Sequence, residues 1–449
     1  MSALACLGRR TLTGMIAASG GQFRDWSADY RLFERDRFRA EELFAVARRE
    51  VAGAAPARAP FIAALDDSYL PKVGRKTCGV GFCRDSHAPP YLANLLRAQR
   101  IVQLSAVLPA AAPPRAARGV PVDLVLAPSP ERPRRAAPPE EWERYVREKA
   151  AANVNLVGGA RISALRCALD ADPAGESRRL IVACDGRFTN GTVLRSLPER
   201  TTLIGRVRRD TALCHLPEAG SGAGRPRSYG ERAPTPEEFA GDEAAPWRRL
   251  AVHAAGRVHE MRVKALGPLR WRAAGAAHTF RLVVVAPLAY RHNESGKILY
   301  RKPAYLLCSD PELPLEELLQ AYVWRWEIEV NFRDEKQLLG TGEAQVRSWP
   351  AVERVPQLIV ASYALLLLAA RRTYGAGGLP ETLPPPRWRA RRPPPRATTT
   401  ALIAALRAEL WGRALGLESF SGFCFRRAAD QKPRELGPSL PSAVLYAAA

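Results

Sequence analysis

Up to about residue 55 the apolar positions recur at helical spacing. Thr11-Leu12-Thr13 can cap a short helix, and 40–47 consists of helix-forming residues throughout. From Pro60 the texture changes to short apolar runs bounded by turn residues, and 61–65, 101–108 and 120–126 read as strands. A helical stretch over 138–169 opens on Pro138-Pro139-Glu140-Glu141, with proline and acids in its first turn, where the macrodipole favours them. The bare apolar run 180–184 then stops at Asp185-Gly186, the pattern of a strand buried on both faces. Strand patterns at 202–206, 252–263 and 280–287, with a Gly/Pro/Arg loop at 218–234, describe a β-rich insertion. After a strand at 304–308 come a helix over 315–339 closed by Gly340, an apolar helix over 355–372, a Pro/Arg-rich stretch at 384–396 and a helix over 399–415.

These elements predict a mixed α/β sheet fold. The expected units are a helical region at 1–55, the first part of an α/β core at 56–200, a β-rich insertion at 201–300 and the second part of the core at 301–375. A stiff linker at 376–398 and a C-terminal helix and tail at 399–449 complete the chain.

Composition narrows the partners. Among 449 residues, 67 Lys and Arg against 45 Asp and Glu leave a net charge of +22, which favours a polyanion, most plausibly nucleic acid. The 47% hydrophobic content supports folded cores and excludes a disordered or collagenous chain. The eight cysteines include no Cys-x2-Cys pair, so neither a zinc site nor a disulfide framework is signalled. The longest apolar run, 358–370, is about 13 residues against the roughly 20 of a spanning helix. The expectation is a cytoplasmic protein with no membrane partner.

The chemistry concentrates on the helix expected over 315–339. At about 100° per residue, Tyr322, Arg325, Glu329 and Lys336 fall within roughly 60° of one another, with Trp326 and Arg333 at the edge of that face. Glu327, Asp334 and Glu335 point away, leaving one carboxylate in a cationic, aromatic stripe. An ordinary Arg–Glu pair at i,i+4 accounts for that spacing equally well. Further carboxylates stand after apolar runs: Asp66 and Asp67 after 61–65, and Asp185 after 180–184. With Glu329 they would form an oxygen-only set suited to Mg2+ or Mn2+, two ions of which can activate a nucleophile and stabilise a leaving oxygen. No Ser-His or Cys-His arrangement competes, and the six histidines form no ligand cluster.

The run Tyr322-x2-Arg325-x3-Glu329-x6-Lys336 resembles the Tyr-x2-Arg-x3-Glu-x6-Lys signature of bacterial insertion-sequence DDE transposases of the IS-four branch. Leu65-Asp66-Asp67-Ser68 with Lys72 and Gly74 is similar to that family's first-aspartate segment, with Ser68 where threonine is usual. Ala183 through Asn190 is similar to its second-aspartate segment, and Leu203 through Asp210 to the strand that opens its insertion. The resemblance implies a ribonuclease-H-like core interrupted by the β-rich insertion. It implies metal binding and catalysis by Asp67 (Asp66 as the alternative), Asp185 and Glu329, and DNA contacts by Tyr322, Arg325 and Lys336. Arg333 joins these by its place on the face, and Trp326 is a candidate for stacking on an unpaired base. The expected reaction is cleavage of double-stranded DNA at element ends and joining of the 3′-hydroxyl to target DNA, by a homodimer in the DNA complex. The alternatives are a ribonuclease-H-like nuclease without strand transfer and an inactive DNA-binding remnant.

Overall fold

The computed structural model describes residues 1–412 except 57, 75, 86–88, 90, 92–93, 109–116, 219–226, 292–295 and 376–395. The expected linker, save its last three residues, and the tail beyond 412 lie outside the described residues. Four helices open the chain: α1 (Ser2–Ala5), α2 (Leu12–Ala18), α3 (Ser27–Glu34) and α4 (Ala40–Ala54). Thr11 caps α2 as its sequence suggests, its hydroxyl accepting from the Gly14 amide at 3.1 Å.

The core follows as β1 (Phe61–Pro71), β2 (Gly81–Arg84), β3 (Leu95–Leu108), β4 (Arg118–Leu126), α5 (Pro139–Ala151), α6 (Val154–Asp170), β5 (Leu180–Cys184), α7 (Gly191–Arg195) and β6 (Thr201–Arg206). Next come β7 (Cys214–His215), α8 (Pro236–Gly241), β8 (Arg248–Ala254), β9 (Arg257–Trp271), β10 (Gly275–Val285), β11 (Ala289–Tyr290), β12 (Leu299–Tyr300) and β13 (Ala304–Cys308). Helices α9 (Leu315–Trp324), α10 (Trp326–Gln337), α11 (Trp349–Tyr374) and α12 (Thr399–Gly412) end the described chain.

One large sheet runs in the order β2-β3-β1-β5-β6-β13-β10-β9-β7, with β4 paired to β3 and β8 to β9. The pairs β1–β5 and β5–β6 are parallel and the rest of the sheet is antiparallel. This mixed sheet, with helical regions before and after it, is the ribonuclease-H-like α/β class. All five residues of β5 are buried, as a bare apolar run between two parallel neighbours requires. Strands β7 to β10 and β13 extend the same sheet, because β13 pairs with β6 on one side and β10 on the other, while β11 and β12 form a two-stranded sheet of their own.

Besides the helix expected over 315–339, three elements differ from their sequence patterns. Asp66 and Asp67 lie inside β1 rather than after it. Pairing to β3 continues from Asp66↔Gln103 to Pro71↔Ala98, while the parallel partner β5 stops at Leu65↔Cys184. The helix expected over 138–169 is divided, because the Asn153 side chain accepts from the Asn155 amide at 3.0 Å and starts α6 afresh. The stretch 252–263 is two antiparallel strands that reverse at Ala255 and Gly256, with φ of 49° and 75°.

Helix α11 is long and apolar enough to cross a bilayer, but 67% of its most apolar window is buried. It packs on α3, α4 and β4, so the fold's core accounts for its composition.

Candidate active site

The faces of β1 decide which side chains meet. Phe61, Ala63 and Leu65 belong to the core that contains Ile162 of α6 and Phe188, whereas Ala64 packs in the cluster of Ile328 and Phe332 on α10. Side chains alternate along a strand, so Asp66 faces α10 and Asp67 faces the opposite side. The strand β5 ends one residue before Asp185, whose carboxylate accepts from the Arg187 amide at 2.9 Å. This local turn holds Asp185 beside the point where β1 runs on alone.

Asp66 is 7% exposed, and its Oδ2 accepts from Arg325 Nη1 at 3.2 Å. The same Nη1 lies 3.7 Å from Glu329 Oε1. Burial pushes the Asp66 carboxyl up to about 8, and the charges of Asp185 and Glu329 add to this while Arg325 opposes it. Asp66 and Glu329 thus share one guanidinium, and Asp185 lines the same cavity.

Asp67 has other partners. Its carboxylate lies 3.0 Å from Arg187 Nε and 3.5 Å from Arg100 Nε. Burial raises its pKa, and the two arginines pull against that rise. Arg100 also donates to the Tyr69 hydroxyl at 2.7 Å and lies over its ring.

The helix expected over 315–339 divides at Arg325. The Arg325 amide donates to the Tyr322 carbonyl at 3.2 Å, and the Ile328 amide to the Arg325 carbonyl at 3.1 Å, tightening the chain between α9 and α10. The predicted face is consequently shared between two concavities. Arg325, Glu329 and Lys336 line a cavity of about 1140 Å³ together with Asp66, Asp67, Asp185, Arg187 and Arg206. Tyr322, Trp326 and Arg333 line a groove of about 850 Å³ together with Arg118, Arg301 and Arg396. Lys336 donates to Ser68 Oγ at 2.5 Å, and burial lowers its pKa. Burial raises the pKa of Tyr322 while the neighbouring Arg325 charge opposes the rise, whereas Trp326 is 62% exposed. Arg333 forks onto its neighbour Asp334.

The acids that point away are used structurally. Glu327 pairs with Arg396 at 2.6 Å. Asp334 Oδ2 accepts from Thr399 at 2.6 Å and from Tyr363 at 3.2 Å. The buried Glu335 accepts from Gln103 at 2.8 Å, and burial pushes its carboxyl up to about 8.

Arg100, Arg187 and Tyr69 went unread in the sequence. Arg187 follows Asp185 by two residues, the one local signal that could have marked it; Arg100 reaches the site only through the β1–β3 register.

Among the described residues no three His, Cys, Asp or Glu side chains are drawn in to a spacing that encloses a metal ion. The donor set nonetheless has the right chemistry for one. Asp66, Asp185 and Glu329 supply oxygen alone, which suits hard divalent ions, and their mutual repulsion at Asp66 exceeds what one guanidinium offsets.

A family model described as DDE superfamily endonuclease matches residues 1–277. The match takes in both aspartate segments and ends ahead of α10. No curated protein matches the chain.

Proposed function

Since the chain belongs to the DDE superfamily of endonucleases, we propose that it is an insertion-sequence transposase that cuts DNA at element ends and joins the 3′-hydroxyl to target DNA. The observation that carries this reading is the convergence of Asp66, Asp185 and Glu329, from three distant segments, on one cavity lined with cationic side chains. The spacing of Tyr322, Arg325, Glu329 and Lys336 supports the IS-four branch.

In this reading Asp66, rather than Asp67, joins Asp185 and Glu329 in holding Mg2+ or Mn2+, as two ions. Such ions, when bound, stabilise charge on a phosphoryl oxygen and lower the pKa of a water or hydroxyl. The protein's own part is positioning. Lys336 and Ser68 stand beside Glu329 in the cavity and offer donors to a phosphate oxygen. Asp67, held by Arg100 on one side, keeps Arg187 at the cavity wall, where its guanidinium faces an incoming phosphodiester. On the groove side, Trp326 presents an exposed ring to an unpaired base, flanked by Arg333. Because two ends are processed together, a homodimer on DNA is the expected working form.

The test is incubation of a labelled duplex carrying the element's ends with Mg2+ or Mn2+, comparing wild type with Glu329→Gln and Asp185→Asn. Nicking at the end followed by joining, by wild type alone, is the expected result. Nicking without any joint product would assign a nuclease instead. Binding without cleavage under either metal would leave only a DNA-binding protein.

A further inference from the structure

Arg325 is the one residue, among those described, that lines both the carboxylate cavity and the groove of Trp326 and Arg333. It also occupies the joint between α9 and α10. Its side chain is 13% exposed, and one nitrogen reaches Asp66 at 3.2 Å and Glu329 at 3.7 Å. Of the other cations named at the cavity, Arg206 is paired with no carboxylate among the described residues, and the rest are committed elsewhere. Lys336 donates to Ser68, while Arg187 and Arg100 bracket Asp67. Among the described residues, the Asp66 and Glu329 carboxylates therefore have one cation within ion-pair distance between them, and it is Arg325.

We propose that Arg325 is the resident counter-ion of the carboxylate site and exchanges its place with the divalent metal, turning its guanidinium into the Trp326 groove to meet a DNA phosphate. This rests on the metal-site reading above and adds to it a coupling between metal loading and DNA binding. A guanidinium keeps its charge at any working pH, so it leaves the carboxylates by moving rather than by losing a proton. One guanidinium nitrogen serves Asp66 and Glu329 at once and leaves Asp185 beyond ion-pair distance, so a divalent ion is the stronger partner for the three side chains. The displaced guanidinium emerges where Arg118, Arg301, Arg333 and Arg396 outnumber the groove's acids Glu327 and Asp334, a balance that favours a polyanion. By linkage, whatever metal does for DNA affinity, DNA does for metal affinity. In the absence of metal the same ion pairs keep Arg325 away from phosphate.

The test is Mn2+ binding to the full chain without DNA, followed by calorimetry and by electron paramagnetic resonance of the free ion, with melting curves to verify folding. Arg325→Gln removes the competing charge and is expected to bind Mn2+ about tenfold more tightly than wild type. Arg325→Lys keeps the charge on a shorter arm and is expected to fall between. With Ca2+ present, wild type is expected to gain at least several-fold in affinity for a short duplex, and Arg325→Gln to gain clearly less. Glu329→Gln is the control for the site. Equal or weaker Mn2+ affinity in both Arg325 variants overturns the exchange while leaving the metal reading intact. Failure of wild type to bind Mn2+ in a manner that Glu329→Gln abolishes overturns the metal reading itself.

Discussion

Adjacent aspartates on β1 are set apart by what each face of the strand meets. Asp66 shares Arg325 with Glu329, whereas Asp67 is bracketed by Arg187 and Arg100. Asp66→Asn is expected to lower cleavage by about a thousandfold, the scale of charge stabilisation a bound metal supplies. Asp67→Asn is expected to keep Mn2+ affinity and lose roughly tenfold in cleavage, through misplaced arginines. Single-turnover cleavage and Mn2+ titration of the two variants separate these outcomes. The pair itself was marked in the sequence as a candidate; the different partners of its two members were not, because strand phase depends on what packs against each face.

Glu335 offers a test through pH. Its carboxyl ordinarily titrates near 4.5 and is pushed up to about 8 by burial. Between those values the folded chain holds a proton that the unfolded chain has released. Stability is therefore full below the lower value and falls through the window by about 1.4 kcal/mol per pH unit. Glu335→Gln is expected to flatten that slope in denaturant unfolding at pH 5.5 and 7.5.

Elements place these residues, and their breaks matter as much as their spans. The longer strands β1, β3, β4, β5, β6, β10 and β13 were legible because apolar runs and turn residues mark them directly, whereas the short β2, β7, β11 and β12 went without a pattern and β8 and β9 read as one. The division of the 315–339 helix was not. Arg325 and its neighbours have ordinary helical propensity, and the tightened turn accompanies ion pairs to β1 that no local pattern records. Helix α6 makes a comparable tertiary demand at Gly158. A Cβ there would stand 2.6 Å from the ring of Phe188, within the loop that carries Asp185. Gly158→Ala is expected to destabilise the fold by about 1–3 kcal/mol, despite alanine's better helix propensity, because the ring has to shift. The same shift should weaken Mn2+ binding. Melting curves and metal titration of the variant check both.

At the scale of the molecule, the charge of +22 governs encounter with DNA. Many arginines are already paired within the fold, as Arg161 with Asp123 and Arg166 with Asp170, so the contacts with phosphate are fewer than the charge suggests. With roughly six to ten phosphates neutralised, affinity for a random duplex is expected to fall by about 10³–10⁵ between 50 and 200 mM salt. Fluorescence anisotropy across that range measures it, and a flat response would sink the polyanion reading. The continuity of the sheet has a different kind of consequence. Strand β13 lies against β6, yet it is synthesised only after β7 to β12, and α10 follows later still. A nascent chain that has emerged as far as β6 carries both aspartate segments without Glu329. If Glu329 completes the site as proposed, a polypeptide translated beside its own gene is unable to cut that DNA until α10 has emerged.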